Sequence, residues 1–189
     1  MNRRRFLTAA VGAGAVTLGT PWLATAGAAT EDDLAFANFG ASTEFLVKDF
    51  YSRALEAKLV SGAKANVLKR GKSCAAQHAK ALSDLLVGAG DVAPLEDDFE
   101  FEWPAATFKS EKDAVTTGVG VLQALLGAYQ TAAATVTETS HRILYASLTA
   151  SVGQQIATLA TFEGASTVEP FPVATDLETA SDALEDYLG

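Results

Sequence analysis

An all-α fold is what this sequence predicts: four long helices and a short fifth around one core. Three observations carry that expectation. Apolar residues recur every three or four positions along alanine-rich stretches, which is the period of one helix face. Proline is kept out of those stretches. Pro94, Pro104, Pro170 and Pro172 all fall between them, where a missing N–H does no harm. Finally, Thr30 with Asp33, Ser110 with Asp113 and Thr175 with Glu178 each set an acid three residues after a hydroxyl. These read as capping boxes, satisfying N–H groups that a first helical turn leaves unpaired.

The first helix is expected over residues 31–59, with Leu34, Ala37, Ala41, Phe45, Ala54 and Leu55 on one face. A turn at Ser61-Gly62 leads to a second over 65–87, ended by Gly88-Ala89-Gly90. Its apolar stripe is Val67, Cys74, Ala75, Ala81, Leu82 and Leu85. The third, 112–136, uses Val115, Val119, Leu122, Leu126, Tyr129 and Ala133. The fourth, 140–162, uses Leu144, Leu148, Ser151, Val152, Ile156 and Leu159, and a short fifth covers 176–188. Gly118, Gly120, Gly127 and Gly153 lie inside the third and fourth helices, each at a cost of about 1 kcal/mol relative to alanine. Close approach of those two helices offsets the cost in the simpler reading. A groove for a small ligand is the other.

Short connections make the first and second helices, and the third and fourth, antiparallel neighbours. The connection over residues 90–110 is long enough to run the length of the bundle. Within it Phe99, Phe101 and Trp103 alternate with Glu100 and Glu102. A period of two suits an extended segment that lays three rings on the bundle and turns carboxylates to water. The acids lack the spacing and glycine of a calcium loop.

The N-terminus has the order of an export signal. Arg3-Arg4-Arg5 precedes an apolar run over 6–23, which closes in small residues with A-x-A sites at Ala24–Ala26 and Ala26–Ala28. The domain division is therefore a signal peptide over 1–29 and a helical domain over 30–189, with cleavage at Ala26, Ala28 or Ala29. Arg-Arg-x-Phe-Leu resembles the twin-arginine type, an address read by its translocase and not an anchor. That places the protein in the periplasm, cell envelope or extracellular space. A retained anchor is the competing reading, but Thr8, the glycines and Pro21 dilute the run, and no later stretch is apolar enough to span a bilayer.

Removing 1–29 leaves 11 basic and 23 acidic residues, a net charge of −12 against −9 for the whole chain. So acidic a domain argues against nucleic acid and anionic membrane as partners, since both need a positive patch. It is also what keeps an exported protein soluble. Cys74 is the only cysteine, so no intramolecular disulfide exists. A single thiol among apolar residues is expected to be buried and inert.

Several stretches in this order resemble the exported ferritin-like domain proteins. They are Leu34-Ala35-Phe36-Ala37, Thr43-Glu44-Phe45-Leu46, Phe50-Tyr51-Ser52-Arg53-Ala54-Leu55, Gln77-His78-Ala79-Lys80-Ala81-Leu82, Leu122–Tyr129, Ala146-Ser147-Leu148, Phe171-Pro172 and Leu184–Leu188. The resemblance covers all of the chain after the signal and implies a ferritin-like four-helix bundle, with its one long crossover between the second and third helices. Metal-binding members of the wider group hold two metals on inward glutamates from two helices and Glu-x-x-His from the other two. By that comparison Glu44 stands at the first glutamate position and His78 at the second helix's histidine, with Ala75 where its partner glutamate would be. Gln123 stands at the third helix's glutamate. In Val152-Gly153-Gln154-Gln155-Ile156, Gly153 and Ile156 take the places of the fourth helix's pair. Two of six positions remain, and a Glu–His pair supplies one anion where such a centre wants several.

Glu44 and His78 are then expected as a buried hydrogen-bonded pair. Open alternatives are a mononuclear site completed by Asp49 or water, and an unconnected placement of the two. His141 reads as a solvated or capping residue, and neither a nucleophile–His–acid pattern nor a glycine-rich phosphate loop is present. These observations favour a non-catalytic binding or structural module without a cofactor, its small-ligand or protein partner unnamed. The alternative is a diiron or dimanganese carboxylate protein, an oxidase or a metal store; a scaffold for a small apolar ligand is a third reading.

Overall fold

The computed structural model describes residues 30–164 and 172–187. The export signal with its cleavage sites, Phe171 and Leu188 lie outside those residues. Four long helices form the bundle: α1 (Glu31–Glu56), α2 (Gly62–Gly88), α3 (Glu111–Thr135) and α4 (Thr139–Ala160), followed by the short α5 (Leu177–Asp182). Among the described residues there is no β-strand, and no helix is long and apolar enough to cross a membrane. α1 packs along α2, α3 packs along α4, and α1 also lies against α3, whereas α2 and α4 meet only briefly. The long 2–3 crossover and the fifth helix are as expected.

Each helix end has a local cause. Thr30 caps α1, accepting from the Asp33 N–H while Asp33 accepts from the Thr30 N–H, a complete capping box. Ser110 accepts from the Asp113 N–H at α3, but the Asp113 carboxylate takes the Ser110 hydroxyl instead of closing the box. The third expected box is overturned. Asp176, not Thr175, caps α5 by accepting from the Thr179 N–H, because Thr175 is held by α3: its N–H donates to the Gly127 carbonyl and its own carbonyl accepts from Thr131. α1 stops at Glu56, short of the expected 59, with Lys58 left-handed at φ 53° beyond it. The last segment breaks after Asp182 and resumes as a 3-10 turn at Glu185–Tyr187.

The crossover does what its alternation predicts. Phe101 is buried and Phe99 and Trp103 pack on the core, while Glu100 and Glu102 are exposed. It is fastened to α1 by Trp103 Nε1 donating to Asp49 (2.7 Å), by Lys48 paired with Glu96, and by Arg53 donating to the Phe101 carbonyl. This cover adds to that of α2 and α3, and α1 is buried on nearly every side.

The glycines of α3 and α4 do not mark the contact between those two helices, which corrects the expected reason for them: Gly118 seats a ring, Gly127 seats the C-terminal segment, and the other two seat nothing. A Cβ at Gly118 would lie 2.3 Å from the Phe50 ring of α1, and one at Gly127 would meet Thr175 and Val173 of the C-terminal segment. Gly120 and Gly153 face open space. Two further seats went unsuspected, Gly71 beneath Tyr51 and Gly40 beneath Tyr129. The stripe on α2 is also shifted: the buried side is Leu68, Gly71, Ala75, Ala79, Leu82 and Leu86, leaving Val67, Cys74, Ala81 and Leu85 on its flank.

Candidate functional site

The centre of the bundle holds one carboxylate. Glu44, from the middle of α1, is fully buried. Its Oε1 lies 2.9 Å from His78 Nδ1 on α2 and accepts the Tyr129 hydroxyl of α3 at 3.0 Å. Helical geometry delivers all three: α1 is enclosed by its neighbours, small residues on α2 (Ala75, Ala79) let the two helices close, and Gly40 makes room for the Tyr129 ring. The expected pairing of Glu44 with His78 is thus what the fold builds, with Tyr129 as an unforeseen third member.

Burial dominates the electrostatics. It pushes the Glu44 carboxyl above its ordinary range, although the His78 hydrogen bond and charge and the Tyr129 hydroxyl pull the other way. Burial likewise raises the Tyr129 hydroxyl well above the usual tyrosine value, helped by the adjacent Glu44. Tyr51 shares this interior, raised by burial and by Glu44, and donates to Gln155 Oε1 of α4 at 3.0 Å. Tyr145 packs its ring against Tyr129, with centroids 5.9 Å apart. Tyr51, Tyr129 and Tyr145 are thus all buried in the bundle interior.

The remaining candidates go elsewhere. Ala75 is buried but carries no donor; Gln123 is exposed on the outside of α3; Gly153 faces open space; and Ile156 is buried and apolar. Asp49, the candidate third ligand, points away from Glu44 and is taken by Arg53 Nε and Trp103 Nε1, both at 2.7 Å. Five positions along a helix place it on a different face. His141 does not cap α4, since Glu138 accepts from the Ser140 N–H there; its ring is partly buried instead. Cys74 is half-buried, not fully.

These donors do not fit a dinuclear metal centre. The centre of the bundle offers one carboxylate, one of whose oxygens is already engaged twice, and one imidazole turned toward it through Nδ1. Such a centre needs several anionic oxygens to offset two cations. Among the described residues, no group of three or more His, Cys, Asp and Glu side chains is gathered to hold an ion. Glu44 Oε2 is buried without a partner. Tyr129 could have been foreseen, because a tyrosine on a fully apolar stripe must find a partner for its hydroxyl.

The model of the ferritin-like domain matches residues 32–165, more than half of the 189-residue chain. No curated protein matches this chain.

Proposed function

The chain belongs to the ferritin-like domain family, and on that premise we propose that it is an exported, non-catalytic bundle that serves as a binding or structural module without a dinuclear metal. The observation that carries this reading is the fully buried Glu44 carboxylate held by His78 and Tyr129. A buried carboxylate with one oxygen hydrogen-bonded to side chains from two neighbouring helices suits a structural polar core. Its hydrogen bonds would have to break before a metal could take the same oxygen. Export through the twin-arginine route rests on Arg3-Arg4-Arg5-Phe6-Leu7 and the small-residue sites after Leu23. A single domain that can fold before crossing suits that route.

One feature favours an iron or manganese carboxylate protein instead: Glu44 Oε2 has no partner. Elemental analysis of protein folded with iron or manganese supplied separates the two. The module reading expects no stoichiometric metal; stoichiometric metal that disappears in Glu44→Ala would overturn it. For export, replacing Arg3, Arg4 and Arg5 with lysine is expected to leave the precursor in the cytoplasm, and unimpaired export of that variant would remove the twin-arginine assignment.

A further inference from the structure

The charge on this protein is divided between two adjoining segments. α2 carries five cations and one acid, in a chain whose net charge is −9. The crossover that follows carries six acids and no cation across residues 91–108. Gly90, left-handed at φ +84°, turns the chain from one to the other. Both segments then flank α1, α2 by packing along it and the crossover through Trp103–Asp49 and Lys48–Glu96.

The two charges do not neutralise each other within the molecule. Lys69 and Arg70 are exposed and Lys72 is partly so, and none of the three forms an ion pair among the described residues. On the crossover Asp97, Glu100 and Glu102 are exposed and equally unpaired among those residues. Where the segments join, Val87 (64% exposed), Val92 (78%) and Leu95 (64%) present apolar side chains to water. These are three of the most exposed large hydrophobic residues in the described structure, and they cluster within nine positions of the chain.

We infer that this edge is a two-fold interface with a second copy of the chain. A two-fold interface must be self-complementary, each surface meeting its own image. A cationic helix beside an acidic strap meets that condition: turned about an axis along the shared edge, the α2 of each copy faces the crossover of the other. The apolar junction supplies non-polar contact, while the charges set register and exclude wrong pairings. A single-sign surface could not associate in this way. The inference deepens the reading of the protein as an interaction module and rests on it.

Sedimentation velocity on the purified chain tests this. The wild type is expected to be a dimer. Lys69→Glu with Lys72→Glu, and separately Asp97→Lys with Glu100→Lys, are each expected to give monomers, because like charges then face each other. Mixing the two monomeric variants is expected to restore a dimer, since each altered segment finds a complementary one. Recovery on mixing also shows that both variants are folded. A monomeric wild type would overturn the proposal, including one whose α2 face retains heparin and so serves a polyanion. So would reversed-charge variants that stay dimeric, or monomeric variants that fail to pair. Metal content is measured independently, so a monomer without metal would sink the interface and leave the module reading standing.

Discussion

Replacing Gly118 with alanine tests the account of the helix glycines most directly. The added Cβ would lie 2.3, 2.6 and 3.1 Å from three atoms of the Phe50 ring, where carbon atoms prefer about 3.5–4.0 Å. The ring is hemmed in by Tyr51, Trp103 and Phe108 at centroid distances of 5.3, 5.6 and 5.9 Å, so any shift must disturb that aromatic cluster or move toward the small pocket Phe50 shares with Leu68 and Leu159. Overpacking of this kind costs about 1–3 kcal/mol. Against it stands the helix-propensity gain of about 1 kcal/mol for removing a glycine. Gly120, two residues along the same helix, has nothing within 4 Å of its Cβ position, so Gly120→Ala collects the propensity gain alone. The difference between the two variants is the overpacking cost. Calorimetry should therefore place Gly118→Ala below Gly120→Ala by about 2–4 °C in Tm for each kcal/mol. Adding Phe50→Leu should remove most of that gap, as expected for residues in contact. Equal midpoints for the two glycine variants would refute the ring-seat explanation.

Two further predictions concern buried acids. Burial of Asp33 would raise its carboxyl, but hydrogen bonds from Thr137 and Thr30 outweigh it and hold the group below the ordinary aspartate range. A depressed value stabilises the fold above the unfolded pKa and ceases to do so as pH falls through the folded one. The wild type should therefore lose stability below about pH 4, and Asp33→Ala should cost about 1–3 kcal/mol at neutral pH with a flatter acid limb in urea titrations. An unchanged acid limb would count against the Asp33–Thr137 staple. Glu44 has the opposite sign. Its raised carboxyl makes the folded state bind the proton more tightly, so stability declines as pH climbs above the ordinary glutamate value. Glu44→Gln, a neutral isostere, should gain on the wild type as pH rises from about 5 to 8; parallel stability curves would show that the carboxylate carries no burial penalty.

Much of the architecture is legible in residue order because helices are local. The periodicity of α1, α3 and α4, the Thr30 box and the placing of Pro94, Pro104 and Pro172 outside the helices report contacts within a few residues, and all are seen in the structure. The crossover rings are legible for the same reason, since alternation alone separates a buried from a solvated side. The exact face of α2 was less so, because Cys74 and Ala75 both satisfy an apolar period and only the position of α1 selects Ala75. Thr175 failed as a cap because a carbonyl 48 residues earlier, on Gly127, competes for its backbone.

At the centre of the bundle the division is sharper. Sequence, read through the family resemblance, determined the chemistry available: one glutamate and one histidine at ligand positions, and no acid or imidazole at the other four. It also determined the charge contrast between α2 and the segment after it. Tertiary structure alone decided that Glu44 and His78 meet, that Tyr129 joins them, and that Asp49 serves Trp103 and Arg53. The physical reason is reach. A sequence specifies which groups need hydrogen-bond partners, but side chains 34 and 85 residues apart come within 3.0 Å only after packing has fixed the rotation of three helices about their axes.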